Sequence, residues 1–250
     1  MNYFVLDNGS NSNYEHLHDM SGVMKRTGCI VIEDDFKGFP IEHFCTSPRY
    51  EGCLDYVLVS NGMIKDRLEK MSMDIVDSYE ASNATSITLM CVLKGGFKFL
   101  ADLVDGLERT VRARGIVLPM SVEFVRVKSY VNDVSYHEPL LTGLGDPSDY
   151  RDKDILVVED IIDTGRTITK LINHLESLST KSVKVASLLV KRTMPPSQYH
   201  PDFVGFEVPN RFVVGYALDY NEHFRDLHHI CVINEIGQQK FSVPCVPKSV

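Results

Sequence analysis

The chain has 250 residues, of which 44% are hydrophobic and 24% are charged, as is typical of one large globular domain. Its formal charge is −8 at pH 7, so nucleic acid is a poor candidate partner, because nucleic-acid-binding domains are usually basic. No apolar stretch reaches the roughly 18 residues of a membrane span, and the N-terminus does not resemble a signal peptide. We therefore expect a cytoplasmic protein with no membrane partner.

Strand-like and helix-like segments alternate along most of the chain. In order, strands are predicted at residues 56–60, 86–92, 121–127, 155–158, 183–190, 212–218 and 230–233. Helices are predicted at residues 63–79, 97–107 and 168–178, where apolar residues recur at helical spacing. This alternation predicts an α/β domain with a doubly wound sheet.

The polar segment at residues 131–154 interrupts this pattern and is longer than most connections. It is a functional lid, a partly disordered loop, or a hairpin flap with Leu140 and Leu141 in its return strand. We expect a flexible extension at residues 1–25, one domain at 26–242 and a tail at 243–250.

Polar or flexible residues follow the ends of several predicted strands. These positions are 93–95, 128–130, 159–160, 191 and 219. In open α/β sheets, ligands bind outside the carboxyl ends of the strands. The sequence therefore predicts a binding site along one edge of the sheet.

The stretch VVEDIIDTGRT at residues 157–167 is the most informative of these segments. Two adjacent acids at the end of an apolar strand are costly unless something binds there. The turn around Gly165 opens a helix and could bind a phosphate through backbone N–H groups, although an ordinary helix cap is the alternative. Glu159 and Asp160 suit the hydroxyls of a ribose and would help to hold Mg²⁺. Together these residues predict a site for a ribose 5-phosphate.

The stretch VVEDIIDTGRT also resembles the phosphoribosyl-pyrophosphate (PRPP) motif of the type I phosphoribosyltransferases. The segments VLKGGFKFLADL (92–103), KVASLLVKRT (184–193) and FVVGYALDYNEHFRDL (212–227) are similar to the hypoxanthine-guanine branch of that family. The resemblance implies a mostly parallel twisted sheet flanked by helices, with a small hood from the N- and C-terminal segments and a mobile lid. It implies Mg²⁺-dependent transfer of phosphoribose from PRPP to N9 of hypoxanthine or guanine, giving IMP or GMP and pyrophosphate. It also implies a homodimer or homotetramer.

The resemblance assigns the PRPP contacts in three groups. The ribose hydroxyls would be bound by Glu159 and Asp160, and the 5-phosphate by the loop from Asp163 that contains Thr164, Gly165, Arg166 and Thr167. The pyrophosphate contacts would be Lys94, Gly95 and Arg225, often with a cis peptide between Leu93 and Lys94. The implied metal ligands are Glu159, Asp160 and Asp219. Arg166 is a departure, because many relatives have lysine there.

The resemblance also assigns the purine contacts. Lys191 would donate to the 6-oxo group, and Phe212 would stack on the ring. The carbonyl of Val213, with that of Asp219, would accept from the 2-amino group of guanine. Asp163 is the candidate acid/base at N7, and Ser129 and Tyr130 would begin the lid.

Plainer interpretations remain open at four of these positions. Lys191 could be a surface charge, Phe212 a core residue, Arg225 a solvated charge in a helix-like stretch, and Glu159 a structural acid. Three other functions also remain: a relative with a shifted base preference, a weakly catalytic paralogue that binds nucleotide, and a transcription regulator. The last would need a DNA-binding segment, of which the acidic sequence gives no sign.

Overall fold

A computed structural model describes residues 28–128, 140–197 and 199–243 of the chain. The predicted extension at residues 1–25, the lid residues Ser129 and Tyr130, and residues 244–250 of the predicted tail lie outside the described residues. The predicted domain boundaries and the lid therefore stay predictions.

Strands and helices alternate along the described chain. The strands are β1 (Ile30–Val31), β2 (Leu54–Val59), β3 (Ile87–Leu93), β4 (Met120–Lys128), β5 (Leu140–Thr142), β6 (Asp154–Ile162), β7 (Ser182–Arg192), β8 (Phe203–Pro209), β9 (Val213–Val214) and β10 (Ile230–Ile233). The helices are α1 (Asn61–Ala81), α2 (Phe97–Arg114), α3 (Arg166–Ser177) and α4 (Glu235–Lys240). None of these described helices has the length and hydropathy that a bilayer crossing requires. The cytoplasmic location stays a prediction.

The strands form two sheets. The large sheet has the order β1-β8-β7-β6-β3-β4-β5, and its strands run parallel except for the antiparallel pair of β4 and β5. The small sheet has the order β2-β10-β9 and is antiparallel. The predicted mostly parallel sheet is confirmed. Leu140 and Leu141 lie in β5, where the hairpin-flap alternative placed a return strand.

Helices cover both faces of the large sheet. On one face, α1 and α2 pack on alternate strand residues such as Leu89 and Leu156. On the other face, α3 packs on their neighbours Met90 and Val157. A strand covered on both faces buries most of its side chains, which explains the nearly continuous apolar sequence at residues 183–190 of β7.

One strand prediction is wrong and one interior strand is missed, each for an identifiable reason. The strand predicted at residues 212–218 is only the two-residue β9, because Gly215, Tyr216 and Ala217 take positive φ angles of 94°, 53° and 77° and turn the chain. The interior strand β8 was not predicted, because a glycine interrupts its apolar pattern. That residue, Gly205, is required by packing, since a Cβ there would lie 2.5 Å from the Leu188 carbonyl oxygen.

Candidate active site

Three neighbouring strands bring the polar segments to one edge of the large sheet. The loop at Lys94–Gly96 follows β3, the turn at Asp163–Gly165 follows β6, and Lys191 lies near the end of β7. Because β7, β6 and β3 are adjacent and parallel, their carboxyl ends lie side by side. These residues therefore lie together at the edge of the sheet that the sequence predicts.

Glu159 and Asp160 are partly buried in β6. Burial raises the pKa of Glu159 well above its ordinary value, and the charge and hydrogen bonding of Asp160 raise it further. Burial also raises the pKa of Asp160, whose Oδ1 accepts a hydrogen bond from the Ile161 backbone N–H at 2.9 Å. Two carboxyl groups that resist ionisation are suited to a ligand that supplies hydroxyl donors or a cation.

The turn after β6 ends at the N-terminus of α3. Gly165 is the N-cap residue, with φ of +78°, and it brings no side-chain acceptor to the first-turn N–H groups. A Cβ at this position would lie 2.5 Å from Ser197 Oγ and 3.0 Å from Tyr199 Cβ, so a larger residue does not fit. A cavity of about 150 Å³ opens here, lined by Glu159, Ile161 and residues 162–168. A helix N-terminus with this geometry suits a phosphate.

The side chains of this turn differ in exposure. Thr164 and Arg166 are exposed, as is Asp163, whereas Thr167 is partly buried. All of them line the same cavity, so the residues assigned to the 5-phosphate by resemblance do lie together.

The loop after β3 packs directly on the acidic pair. The Leu93-Lys94 peptide is cis, as the resemblance implied. Gly95 follows, and a Cβ there would lie 1.5 Å from Asp160 Oδ2. Only a residue without a side chain allows this loop to approach the carboxylate of β6 so closely.

Lys94 and Arg225 both form ion pairs with the same acid, Glu222. Glu222 forms ion pairs with Lys94 Nζ at 2.9 Å and with Arg225 Nη2 at 3.3 Å. Arg225 Nη2 is also 2.8 Å from Asp219 Oδ1, and its Nη1 donates to the Ala217 carbonyl at 2.6 Å. Arg225 is therefore not a solvated charge, and the two residues assigned to pyrophosphate are brought together.

A second cavity, of about 200 Å³, lies beside the acidic pair. It is lined by Asp160, Ile161, Lys191, Phe212, Val213, Leu218 and Asp219. Lys191 Nζ is 3.2 Å from Asp163 Oδ2 and 6.0 Å from the centre of the Phe212 ring. The Lys191 side chain is only 12% exposed and Phe212 is 45% exposed, so neither the surface-charge nor the core interpretation applies.

The sequence did not indicate Glu222 or Leu218 as site residues. Glu222 lies in a stretch interpreted as helix-like, but Asn221, Glu222 and Phe224 have positive φ angles of 50°, 67° and 72°. Such turns carry no periodic signal. The only hint was the charge pattern, with an acid three residues before Arg225.

Comparison with known proteins defines the class. A family model described as a phosphoribosyl transferase domain matches residues 58–221, which is more than half of the chain. The hypoxanthine-guanine phosphoribosyltransferase of Schistosoma mansoni is 81% identical over 250 residues, covering 100% of this chain and 87% of that protein. The rat enzyme of the same name is 48% identical over 212 residues, covering 85% of this chain and 96% of that protein. Human phosphoribosyltransferase domain-containing protein 1 is 48% identical over 214 residues, covering 86% and 94%.

A solved structure supports the same assignment. The crystal structure of the Schistosoma mansoni hypoxanthine-guanine phosphoribosyltransferase in complex with IMP aligns with a TM-score of 0.78 at 78% identity. The alignment covers 87% of this chain and 100% of that chain. The chain belongs to the hypoxanthine-guanine phosphoribosyltransferase family, which confirms the family predicted from the sequence motifs.

Proposed function

We propose that the edge described above binds PRPP and a 6-oxopurine in its two cavities and joins them. The chain is a purine-salvage enzyme that transfers phosphoribose from PRPP to N9 of hypoxanthine or guanine, giving IMP or GMP and pyrophosphate. The observation that carries the site assignment is that Ile161 lines both cavities. A nucleotide has a phosphate at one end and a base at the other, and two adjacent cavities of these chemistries accommodate it.

The first cavity and the loop after β3 bind PRPP. Residues 164–167 at the start of α3 bind the 5-phosphate through backbone N–H groups and hydroxyls. Glu159 and Asp160 bind the ribose hydroxyls. Lys94, the Gly95 backbone and Arg225 bind the pyrophosphate.

Mg²⁺ is assigned to the carboxylates of Glu159, Asp160 and Asp219. The donor set fits, because carboxylate oxygens are the protein ligands that Mg²⁺ prefers. Among the residues that the structure describes, no three His, Cys, Asp or Glu side chains cluster closely enough to hold a metal by themselves. Each of the three carboxylates would therefore supply a ligand singly, and not as part of one preformed cluster. When bound, the ion neutralises charge on the pyrophosphate leaving group.

The second cavity accounts for the purine. Lys191 donates to the 6-oxo oxygen, and Phe212 stacks on the ring from the exposed side. The backbone carbonyls of Val213 and Asp219 accept from the 2-amino group of guanine. A lysine has three donors and no acceptor, so it disfavours the 6-amino group of adenine.

The acid/base group is Asp163, whose Oδ2 lies 3.2 Å from Lys191 Nζ. Its position between the phosphate loop and the purine cavity allows it to take up the proton of N7 as N9 attacks the anomeric carbon and the bond to pyrophosphate breaks. Negative charge develops on the departing pyrophosphate, and Lys94 and Arg225 stabilise it.

One assay tests the function. The protein is incubated with Mg²⁺, PRPP and, separately, hypoxanthine, guanine, xanthine or adenine, and nucleotide formation is followed. We expect IMP and GMP to form and adenine to remain unused. Equal or better use of adenine would contradict the assignment of Lys191. Measurable binding of GMP with no product from any base would favour the nucleotide-binding paralogue.

A further inference from the structure

The carboxylate of Glu222 forms ion pairs with both cations that the proposed function assigns to pyrophosphate. Glu222 Oε2 lies 2.9 Å from Lys94 Nζ, and Glu222 Oε1 lies 3.3 Å from Arg225 Nη2. The two oxygens of a single side chain therefore bridge residues that are 131 positions apart in sequence (225 − 94). A pyrophosphate bound at the same two cations would present oxygens to the same atoms.

The backbone presents Glu222 to this position. Its φ angle of +67° is in the left-handed region, which is unfavourable for a residue with a side chain. The Glu222 backbone N–H donates to Asp219 Oδ2 at 2.7 Å, which anchors the turn. The carboxylate is therefore held near Lys94 by the turn and not only by its own charge.

Arg225 has other partners that would remain if Glu222 left. Its Nη1 donates to the Ala217 carbonyl at 2.6 Å, and its Nη2 lies 2.8 Å from Asp219 Oδ1. Its Nε is buried and has no hydrogen-bond partner within the described part of the chain. The guanidinium is thus fixed on two sides, and its contact with Glu222 is the longest of the three.

The contacts of Glu222 are easy to exchange. Its side chain is 61% exposed and that of Lys94 is 48% exposed, and ion pairs at such exposure contribute little. A pyrophosphate carries several negative charges against one for the glutamate, so it competes well for both cations.

We propose that Glu222 is an internal counter-ion that holds Lys94 and Arg225 in the free protein and is displaced by the diphosphate of PRPP or by pyrophosphate. The inference rests on the proposed function, because it takes Lys94 and Arg225 as the pyrophosphate contacts. Its consequence is that Glu222 weakens diphosphate binding and accelerates the departure of pyrophosphate. Glu222 is thus a positioning residue that acts through two cations.

The test is the affinity of the full chain for pyrophosphate with Mg²⁺, measured by titration calorimetry at low and high salt. We expect Glu222→Gln to bind pyrophosphate about two- to five-fold more tightly than the wild type at low salt, with a smaller gap at high salt. The KM for PRPP should fall in parallel, while the KM for hypoxanthine stays unchanged. Glu108→Gln is the matched control, because it removes the same charge from an exposed position far along α2.

Unchanged or weaker binding of pyrophosphate by Glu222→Gln, with normal binding by the wild type, would overturn the role of Glu222 alone. Equal tightening in Glu108→Gln would overturn it too, because net charge would then explain the effect. A wild-type chain that binds no pyrophosphate would overturn the proposed function together with this inference.

Discussion

At the scale of residues, two side chains that the proposed function assigns to the purine contact each other directly. Asp163 and Lys191 are assigned to different parts of the reaction, yet they form an ion pair of 3.2 Å in the free protein. The lysine is 12% exposed and the aspartate is 52% exposed, so the carboxylate is the more accessible partner of the pair. In the proposed function, this ion pair would orient both groups before the base binds.

Asp163→Asn should lower kcat by about 10²- to 10⁴-fold, the usual contribution of a general acid/base group. The amide keeps the shape of the side chain but cannot take up the proton. The KM for PRPP should change much less. Steady-state kinetics measure both quantities, with Asp66→Asn on the exposed surface of α1 as the control. Unchanged turnover would remove Asp163 from the mechanism.

Lys191→Ala should remove the preference for 6-oxopurines over adenine. The lost hydrogen bond comes from a charged donor, so we expect kcat/KM for hypoxanthine to fall by about 10- to 100-fold. Rates with hypoxanthine and adenine, measured side by side, give the ratio. A ratio equal to that of the wild type would contradict the proposed contact.

Gly95→Ala should damage PRPP use, because its Cβ would lie 1.5 Å from Asp160 Oδ2 and the loop must move. Displacements of about 1 Å near reacting groups can reduce rates by about 10²-fold, so we expect kcat/KM for PRPP to fall by about tenfold or more. Gly62→Ala is the matched control, since its nearest atom is Ser60 Oγ at 3.9 Å. Similar kinetics for the two variants would show that the loop tolerates a side chain.

At the scale of elements, α1 connects β2 of the small sheet to β3 of the large sheet, and its N-terminus contacts the segment that precedes β10. Ser60 caps this helix through Met63, and the Asn61 backbone N–H donates to Nδ1 of His229 at 3.0 Å. Burial lowers the pKa of His229, and the nearby charges of His228 and Lys98 lower it further. The histidine must be neutral at Nδ1 to accept this hydrogen bond, and a helix N-terminus also disfavours a positive charge.

His229 should make folding stability sensitive to pH. Its pKa is lower in the folded protein than the ordinary value of 6.5, so the unfolded chain binds more protons as the pH falls below that value. Stability should therefore be lost on acidification from about pH 6.5. In His229→Asn the amide oxygen can accept the same N–H without titrating.

Denaturant unfolding of both proteins between neutral and mildly acidic pH measures the effect. The wild type should lose stability relative to His229→Asn as the pH falls. Parallel curves for the two proteins would show that His229 does not titrate with unfolding.

The sequence predicts regular elements better than the turn that completes the site. Apolar periodicity in the sequence indicates buried strands and amphipathic helices, so β6, β7 and α1 are predictable. The turn from Tyr216 to Phe224 is not predictable in this way, because its left-handed residues are held by distant partners. Tyr216 donates its hydroxyl to Asp102 on α2, and its backbone N–H donates to the Leu227 carbonyl at 2.8 Å.

The assigned residues Lys94 and Lys191 could be found because each lies at or near the end of a strand, where the topology alone brings them together. The sequence predicts that Glu159 follows a strand that ends at residue 158, but it lies inside β6, which continues to Ile162. Glu222 and Leu218 could not be found, since their positions depend on a turn whose shape is set by tertiary contacts. Local propensity carries no information about such contacts.

On the scale of the whole molecule, the site joins segments from most of the chain. Four different strands or loops contribute the assigned residues Lys94, Asp163, Lys191 and Phe212. Phe212 directly precedes β9, which belongs to the small sheet. A nucleotide that fills both cavities therefore contacts the large sheet and the segment leading into the small one. Binding should stabilise the fold as a unit.

GMP should accordingly raise the free energy of unfolding. At a concentration about 100 times its Kd, the gain should be about 2.7 kcal/mol if GMP binds only the folded chain. Denaturant unfolding with and without GMP measures this gain. At the same GMP concentration Lys191→Ala should gain less, and Asp66→Asn should match the wild type. An equal gain in Lys191→Ala would place the nucleotide elsewhere.

The fit of Gly95 against Asp160 also constrains how this sequence can change over generations. A side chain at position 95 collides with the carboxylate, so it becomes acceptable only after position 160 has changed to a smaller residue. That first change removes an acid assigned to the ribose, and the lineage would lose function before the second change could restore the packing. Related sequences that keep an aspartate at position 160 are therefore expected to keep glycine at position 95, whereas a smaller residue at position 160 alone creates no clash.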